Sequence, residues 1–246
     1  MAKKAAFQKR FYRHSVRPQG LYACVARLQE TDVQVLTDTP VSKDFIVKRI
    51  KKYRREIENY ISRHPRFLTS LKPIPVEINA QPIIKKMAQA AQKANVGPMA
   101  AVAGAIAFFL GKDLMRRKCR DVIIENGGDI FVKTSRARIV GIYSGRSSLF
   151  NGIKLRIRPR MRISGVCASS GTIGHSLSFG KADSAVILAV DPVIADAVAT
   201  ATCNLVRKKE DLKKAIDFAK SIKAVKGAVL IMGDNLASWG KAELVL

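Results

Sequence analysis

GVCASSGTIGHSLSFGKADSAVILAVDPVIADAVATAT, Gly165 to Thr202, joins a reactive loop to a strand and a helix. Its apolar run at 184–190 predicts a strand, and Asp191-Pro192 pairs an N-cap residue with proline in the first helical turn. The helix so begun is expected to run to about Val206. Ahead of the strand lies a loop carrying a cysteine, a run of small hydroxyl residues, glycines and a histidine. A segment built only to fill a core has little use for so many reactive groups.

Outward from this unit the chain alternates strand and helix signals. Toward the amino terminus, Phe7 to Val16 and Leu21 to Leu28 read as strands split by the turn Arg17-Pro18-Gln19-Gly20, with Val33 to Thr37 completing a meander. Ser42 to Ser62 has helical periodicity, with Ser42 as N-cap. Residues 82 to 117 read as two helices meeting at Asn95-Val96-Gly97-Pro98, and Pro98 to Leu110 as a buried helix too short to cross a bilayer. Val122 to Glu125 and Ile130 to Lys133 flank the turn Asn126-Gly127-Gly128-Asp129, and further strands are expected at 138–143, 153–158, 161–166, 227–232 and 241–246, with a helix at 209–222. This order predicts an α+β fold with mixed, largely antiparallel sheets and packed helices. We expect one domain over 1–246: a meander at 1–40, a basic helix and connection at 41–81, and a motif-bearing core at 82–246.

The apolar share of 48% is enough to build a core, whereas a net charge of +25 calls for an anionic partner. Nucleic acid, a phosphate-bearing ligand, an acidic protein and a membrane surface all meet that need. The basic amino terminus has no apolar run behind it, and the four cysteines lack zinc or disulfide spacing. A cytoplasmic protein with reduced thiols and no membrane span is the expectation.

Several constellations carry chemistry, each beside a structural alternative. Asp196 and Thr200, four apart on a helix, present a carboxylate and a hydroxyl on one face, a set that suits Mg²⁺. The alternative is an outward Asp beside a Thr bonded to its own helix. Asn126, Gly127, Gly128 and Asp129 form either a bare hairpin turn or a place where a ligand approaches backbone closely. Cys167 is either a buried inert thiol or, among so many cations, a nucleophile with His175 as its base. Ser169, Ser170, Gly171 and Thr172 offer hydroxyl and amide donors to a phosphate. Between Lys133 and Arg162 stand nine Lys/Arg and no acid, with Lys154, Arg156, Arg158, Arg160 and Arg162 in alternation. They form either a solvated strand face or an anion site in which Arg156 and Arg158 take part.

Taken in order, Gly104-Ala105-Ile106-Ala107, Asn126-Gly127-Gly128-Asp129, Ser169-Ser170-Gly171 and Asp196-Ala197-Val198-Ala199-Thr200 resemble the ApbE-like superfamily. Its best-known members are Mg²⁺-dependent flavin transferases. The resemblance spans about 82 to 246 and implies a metal held by Asp196, Thr200 and the carbonyl of Ala107, with FAD or another phosphate-bearing molecule as ligand. More narrowly, GVCASSGTIGHSLSFGKAD and VIIENGGDIFVK resemble an uncharacterised branch, the family numbered 0280, some of whose members have been linked to sulfur assimilation. Two departures fall on the dinucleotide site. Only His175 matches the transferases' His–x–x–Asp–Pro–x–Thr–Gly element, and Phe108-Phe109 stands where they have lysine and glycine.

Three functions follow as expectations. One is an Mg²⁺-dependent enzyme acting on a phosphate-bearing or flavin-type ligand. Another is a sulfur-handling protein with a persulfide on Cys167, and a third is a non-enzymatic nucleic-acid binder. A homodimer through the Ala/Gly-rich helix or a sheet edge fits any of them.

Overall fold

A computed structural model describes residues 20–142, 149–150, 152–172 and 179–245. The expected strand Phe7 to Val16, most of the turn after it, and His175 lie outside the described residues.

Strands β1 (Tyr22–Leu28) and β2 (Thr31–Thr37) form a hairpin that leads into α1 (Lys43–Arg63). Ser42 caps α1 as expected, its Oγ accepting the Phe45 amide at 3.3 Å. Ile46, Ile50, Tyr53, Ile57 and Tyr60 make the buried stripe at helical spacing. The short α2 (Arg66–Thr69) and α3 (Pro82–Ala94) follow, then a 3-10 turn at Pro98–Ala101 that continues into α4 (Val102–Arg116). Pro98–Arg116 is long and apolar enough by composition to span a bilayer. In the fold it is a core helix, with Ala101, Ala105, Leu110 and Leu114 fully buried.

Next come β3 (Val122–Asn126), β4 (Asp129–Lys133), β5 (Arg138–Gly141), β6 (Lys154–Ile157), β7 (Gly165–Ser169), β8 (Ser184–Ala189), α5 (Pro192–Leu205), α6 (Asp211–Ser221), β9 (Val225–Met232), β10 (Asn235–Gly240) and β11 (Glu243–Val245). Eight strands form one sheet in the order β1-β2-β3-β4-β7-β8-β9-β10, and β11-β6-β5 form a second. Each described pair is antiparallel, so the α+β expectation stands while the sheets are less mixed than expected.

The large sheet is covered on both faces. On one, Val35, Ile124 and Phe131 pack under α1 and α4, and Ile187, Ala189 and Ala228 under α3 and α5. On the other, Val132, Val166, Val186, Leu188 and Val229 meet Leu155 and Ile157 of the small sheet. Alternation along each strand feeds both layers, which is why β8 reads as an unbroken apolar run. Helix α5 lies over β7 and β8 and is enclosed by α3, α4 and α6, so every residue from Pro192 to Cys203 is buried.

Two local readings change. The expected strand 161–166 is a 3-10 turn, Pro159–Met161, followed by Arg162 at φ 55, and β7 starts only at Gly165. Strand β10 has no counterpart among the expected strands and is held by its pairing with β9.

Candidate functional site

Four elements converge above the middle of the large sheet: the β3–β4 hairpin, β7, the start of α4 and the first half of α5. Helix α5 starts where Asp191 accepts the amides of Val193 at 2.8 Å and Ile194 at 3.2 Å, and Lys86 pairs with the same carboxylate at 2.5 Å. Its first turn rests on Gly165, where a Cβ would stand 2.5 Å from Pro192 N and Cα, so only glycine admits the helix. Further along the same face of β7, Cys167 donates its thiol to the Pro192 carbonyl at 3.3 Å. Asp129 faces Cys167 across the β4–β7 ladder.

One turn into α5, the Asp196 Oδ2 accepts the Gly104 amide at 2.8 Å, and the Ala103 amide also reaches this carboxyl. No side chain near its own start caps α4. Asp196 supplies that cap from another helix, satisfying donors that a helix start leaves open. The approach is close enough that a Cβ on Gly104 would lie 2.4 Å from the Pro192 carbonyl oxygen. The hairpin is tied to the same point, because Asn126 Nδ2 donates to the Ala103 carbonyl at 3.1 Å. Gly127 and Gly128 turn it with φ of 70 and 102, a conformation that favours glycine, and the Gly128 amide donates to Glu125 at 2.9 Å.

The electrostatics of this convergence are unusual. Burial pushes the Asp129 carboxyl well above its ordinary range, and the negative charge of Asp196 adds to it. Burial raises Asp196 to about 7 against the opposing pull of the Gly104 and Ala103 amides. Neither carboxylate pairs with a basic side chain among the described residues. Asp129 Oδ1 and Ser169 Oγ are buried without a hydrogen-bond partner. Two buried carboxylates and unpaired hydroxyl oxygen are what a hard cation requires, since Mg²⁺ takes one or two carboxylates and fills its shell with water or ligand oxygen. No group of three His, Cys, Asp or Glu gathers among the described residues, so the protein's own donors are limited to the two carboxylates and hydroxyl oxygen. The residues fit Mg²⁺.

The structure thus brings together Asn126, Gly127, Gly128, Asp129, Cys167, Ser169 and Asp196, with Thr200 buried one turn further along α5. Other expected members fall elsewhere. Ala107 sits one turn into α4 in the cluster with Val35, Ile124 and Leu110, its carbonyl within the helical ladder; the groups α4 turns toward Asp196 are the Ala103 and Gly104 amides. Ser170 and Thr172 make a local turn, with Thr172 donating to Asp183 at 3.2 Å, and Gly171 is there because a Cβ would meet the Gly180 carbonyl at 2.0 Å. Arg156 lies on β6 of the small sheet and Arg158 directly after it, beyond the opposite face of the large sheet. The cationic run is not free of acids either, since Glu243 of β11 pairs with Arg158 at 2.9 Å.

Cys167 requires a correction of substance. It is fully buried, and burial with the charges of Asp129 and Asp196 pushes its thiol well above the usual value. This burial matches the inert alternative, whereas a persulfide carrier needs an accessible thiolate. Conversely, the backbone clamp at Ala103 and Gly104 and the role of Glu125 escape sequence reasoning. The only trace of the clamp is the run of small residues that permits the approach.

A model of the family described as AbpE bacteria matches residues 13–242. A UPF0280 protein of Methanocaldococcus jannaschii is 40% identical over 227 residues, covering 89% of this chain and 91% of the relative. One of Methanococcus aeolicus is 39% identical over 218 residues, covering 87% and 88%. Among solved structures, the flavinyl transferase ApbE of Pseudomonas stutzeri superposes with a TM-score of 0.60 at 9% identity, over 89% of this chain and 94% of the other. The flavin transferase ApbE of Vibrio cholerae gives 0.59 at 9% identity over 89% and 96%. The fold is therefore shared with those transferases, and by sequence the chain belongs to the UPF0280 family of ApbE-like proteins.

Proposed function

We propose that this chain is a Mg²⁺-dependent enzyme acting on a phosphate-bearing ligand of the flavin nucleotide type. The observation that carries this reading is the buried pair Asp129 and Asp196, unpaired with any described cation and with an orphaned oxygen on Asp129. Two like charges enclosed in this way repel each other, and a divalent ion relieves that repulsion. Asp196, Thr200 and Asp129 would hold the metal, which neutralises charge on a pyrophosphate when bound. The Ala103 and Gly104 amides keep Asp196 in one orientation, and Asn126 locks the hairpin that carries Asp129. The solved structures named as flavin transferases share the fold and make a flavin nucleotide the first ligand to test.

The test is a thermal-shift series with Mg²⁺, FAD and both together, in wild type and Asp196→Asn. Mg²⁺ should raise the wild-type midpoint, FAD should raise it further only with the metal, and the variant should respond to neither. A wild type that ignores Mg²⁺ at any FAD concentration refutes the proposal.

A further inference from the structure

Helices α1 and α4 pack antiparallel at a seam remote from the carboxylates. The Arg117 guanidinium lies 4.6 Å from the Phe45 ring centre, Arg49 Nε donates to Asp113 at 2.5 Å, and the Tyr53 and Phe109 rings are 5.4 Å apart. Arg49, Tyr53 and Arg116 together take up Asp113. What α1 shows outward is Lys48, Lys51, Lys52 and Arg55, all exposed and gathered on one side within two turns. Lys48, Lys51 and Arg55 hold no ion pair among the described residues, and Lys52 reaches Glu56 only at 3.7 Å. Across the seam, Lys112, Arg116, Arg117 and Lys118 continue the exposed positive surface.

We propose that this α1–α4 face binds the sugar–phosphate backbone of a double-stranded nucleic acid. Lys48 to Arg55 covers about 10 Å of helix axis, over which one strand of a duplex presents about three phosphates. None of the large exposed apolar side chains among the described residues lies on α1 or α4. That argues against a membrane-surface helix, which buries an apolar face in lipid, and against single strands, which stack bases on aromatic platforms. The face meets the carboxylate site only through the length of α4, so the two can be disabled separately.

The experiment measures binding of a short DNA duplex across a salt series by fluorescence anisotropy, with the same single strand and phosphatidylserine vesicles as comparison probes. One variant carries Lys48→Gln, Lys51→Gln, Lys52→Gln and Arg55→Gln. A matched control carries glutamine at Lys213, Lys214, Lys220 and Lys223, exposed lysines of α6 and the residues just after it. Glutamine keeps helix propensity, and circular dichroism verifies folding. The α1 variant should lose roughly tenfold or more in duplex affinity at about 100 mM salt, and its log–log salt slope should fall by about 3 to 4, near one per phosphate contact. The control should stay within about threefold of wild type. Equal loss in the two variants means bulk charge alone and overturns the proposal. So does tighter binding of the single strand or the vesicles, or no binding at all.

Discussion

Replacing Asp196 by asparagine should flatten the pH dependence of stability in the metal-free protein. The native carboxyl titrates near 7, against 3.8 for the ordinary side chain, because burial disfavours its charged form. Between those values the native state holds a proton that the unfolded chain has released, so stability falls as pH rises and levels off above about 7. Each unit corresponds to about 1.36 kcal/mol, so the two units between pH 5 and 7 amount to about 2.7 kcal/mol. Asparagine keeps the volume and can still accept the Gly104 and Ala103 amides. It also removes the charge that helps to raise Asp129. Asp121 and Glu30 are shifted the other way, and their stabilisation is lost only as pH falls through the low end, outside this window. Asp129, raised mainly by burial, lowers stability in the same direction in both proteins, so urea denaturation at pH 5 and 8 in a chelator should show Asp196→Asn losing about 2 to 3 kcal/mol less than wild type. Equal losses would show that Asp196 ionises freely in the native state and would refute the electrostatic account of the site.

Two further outcomes follow from the packing. Gly104→Ala should destabilise by about 3 kcal/mol or more, since its Cβ would sit 2.4 Å from the Pro192 carbonyl oxygen, and thermal melts with and without Mg²⁺ will show whether the site fails with the fold. With a thiol-reactive dye in native buffer, Cys24 should label first and Cys167 only after unfolding; a Cys167→Ala variant with fewer native thiols than wild type would contradict the burial described.

Much of the scaffold could be read from single residues because their signals are local. Ser42, Asp191-Pro192 and the glycines at 127 and 128 each encode a cap or turn within a few residues, and each forms as expected. Periodicity likewise marked α1 and the doubly buried β8. What stayed hidden depends on pairing across the chain. Strand β10, with Asn235, Ser238 and Gly240, has little strand character of its own and exists because β9 offers it a ladder. Alternation suggested five cations in phase through Arg162, but the left-handed turn there breaks the phase, and Glu243 arrives from the end of the chain. At the site, Asp129, Asp196 and the four-motif order were legible. The carboxylate's partners were not, because amide hydrogens carry no side-chain signature. Which of the two readings of Cys167 applies could not be seen, because sequence shows how many cations surround a thiol but not whether they can reach it.

The pairing of Asp129 with Cys167 across β4 and β7 has a consequence for how much the chain can change. The excursion between these strands, with β5 and β6, spans from Lys133 to Gly165, yet the carboxylate's position comes from ladder hydrogen bonds and not from the intervening length. Residues added in that excursion lengthen a connection at small entropic expense. A one-residue slip in the ladder would instead turn Asp129 to the opposite face of the sheet and expel it from the cluster. Insertional latitude and positional strictness thus coexist within forty residues of chain, and a reporter peptide spliced between β5 and β6 should leave the acidic pair undisturbed.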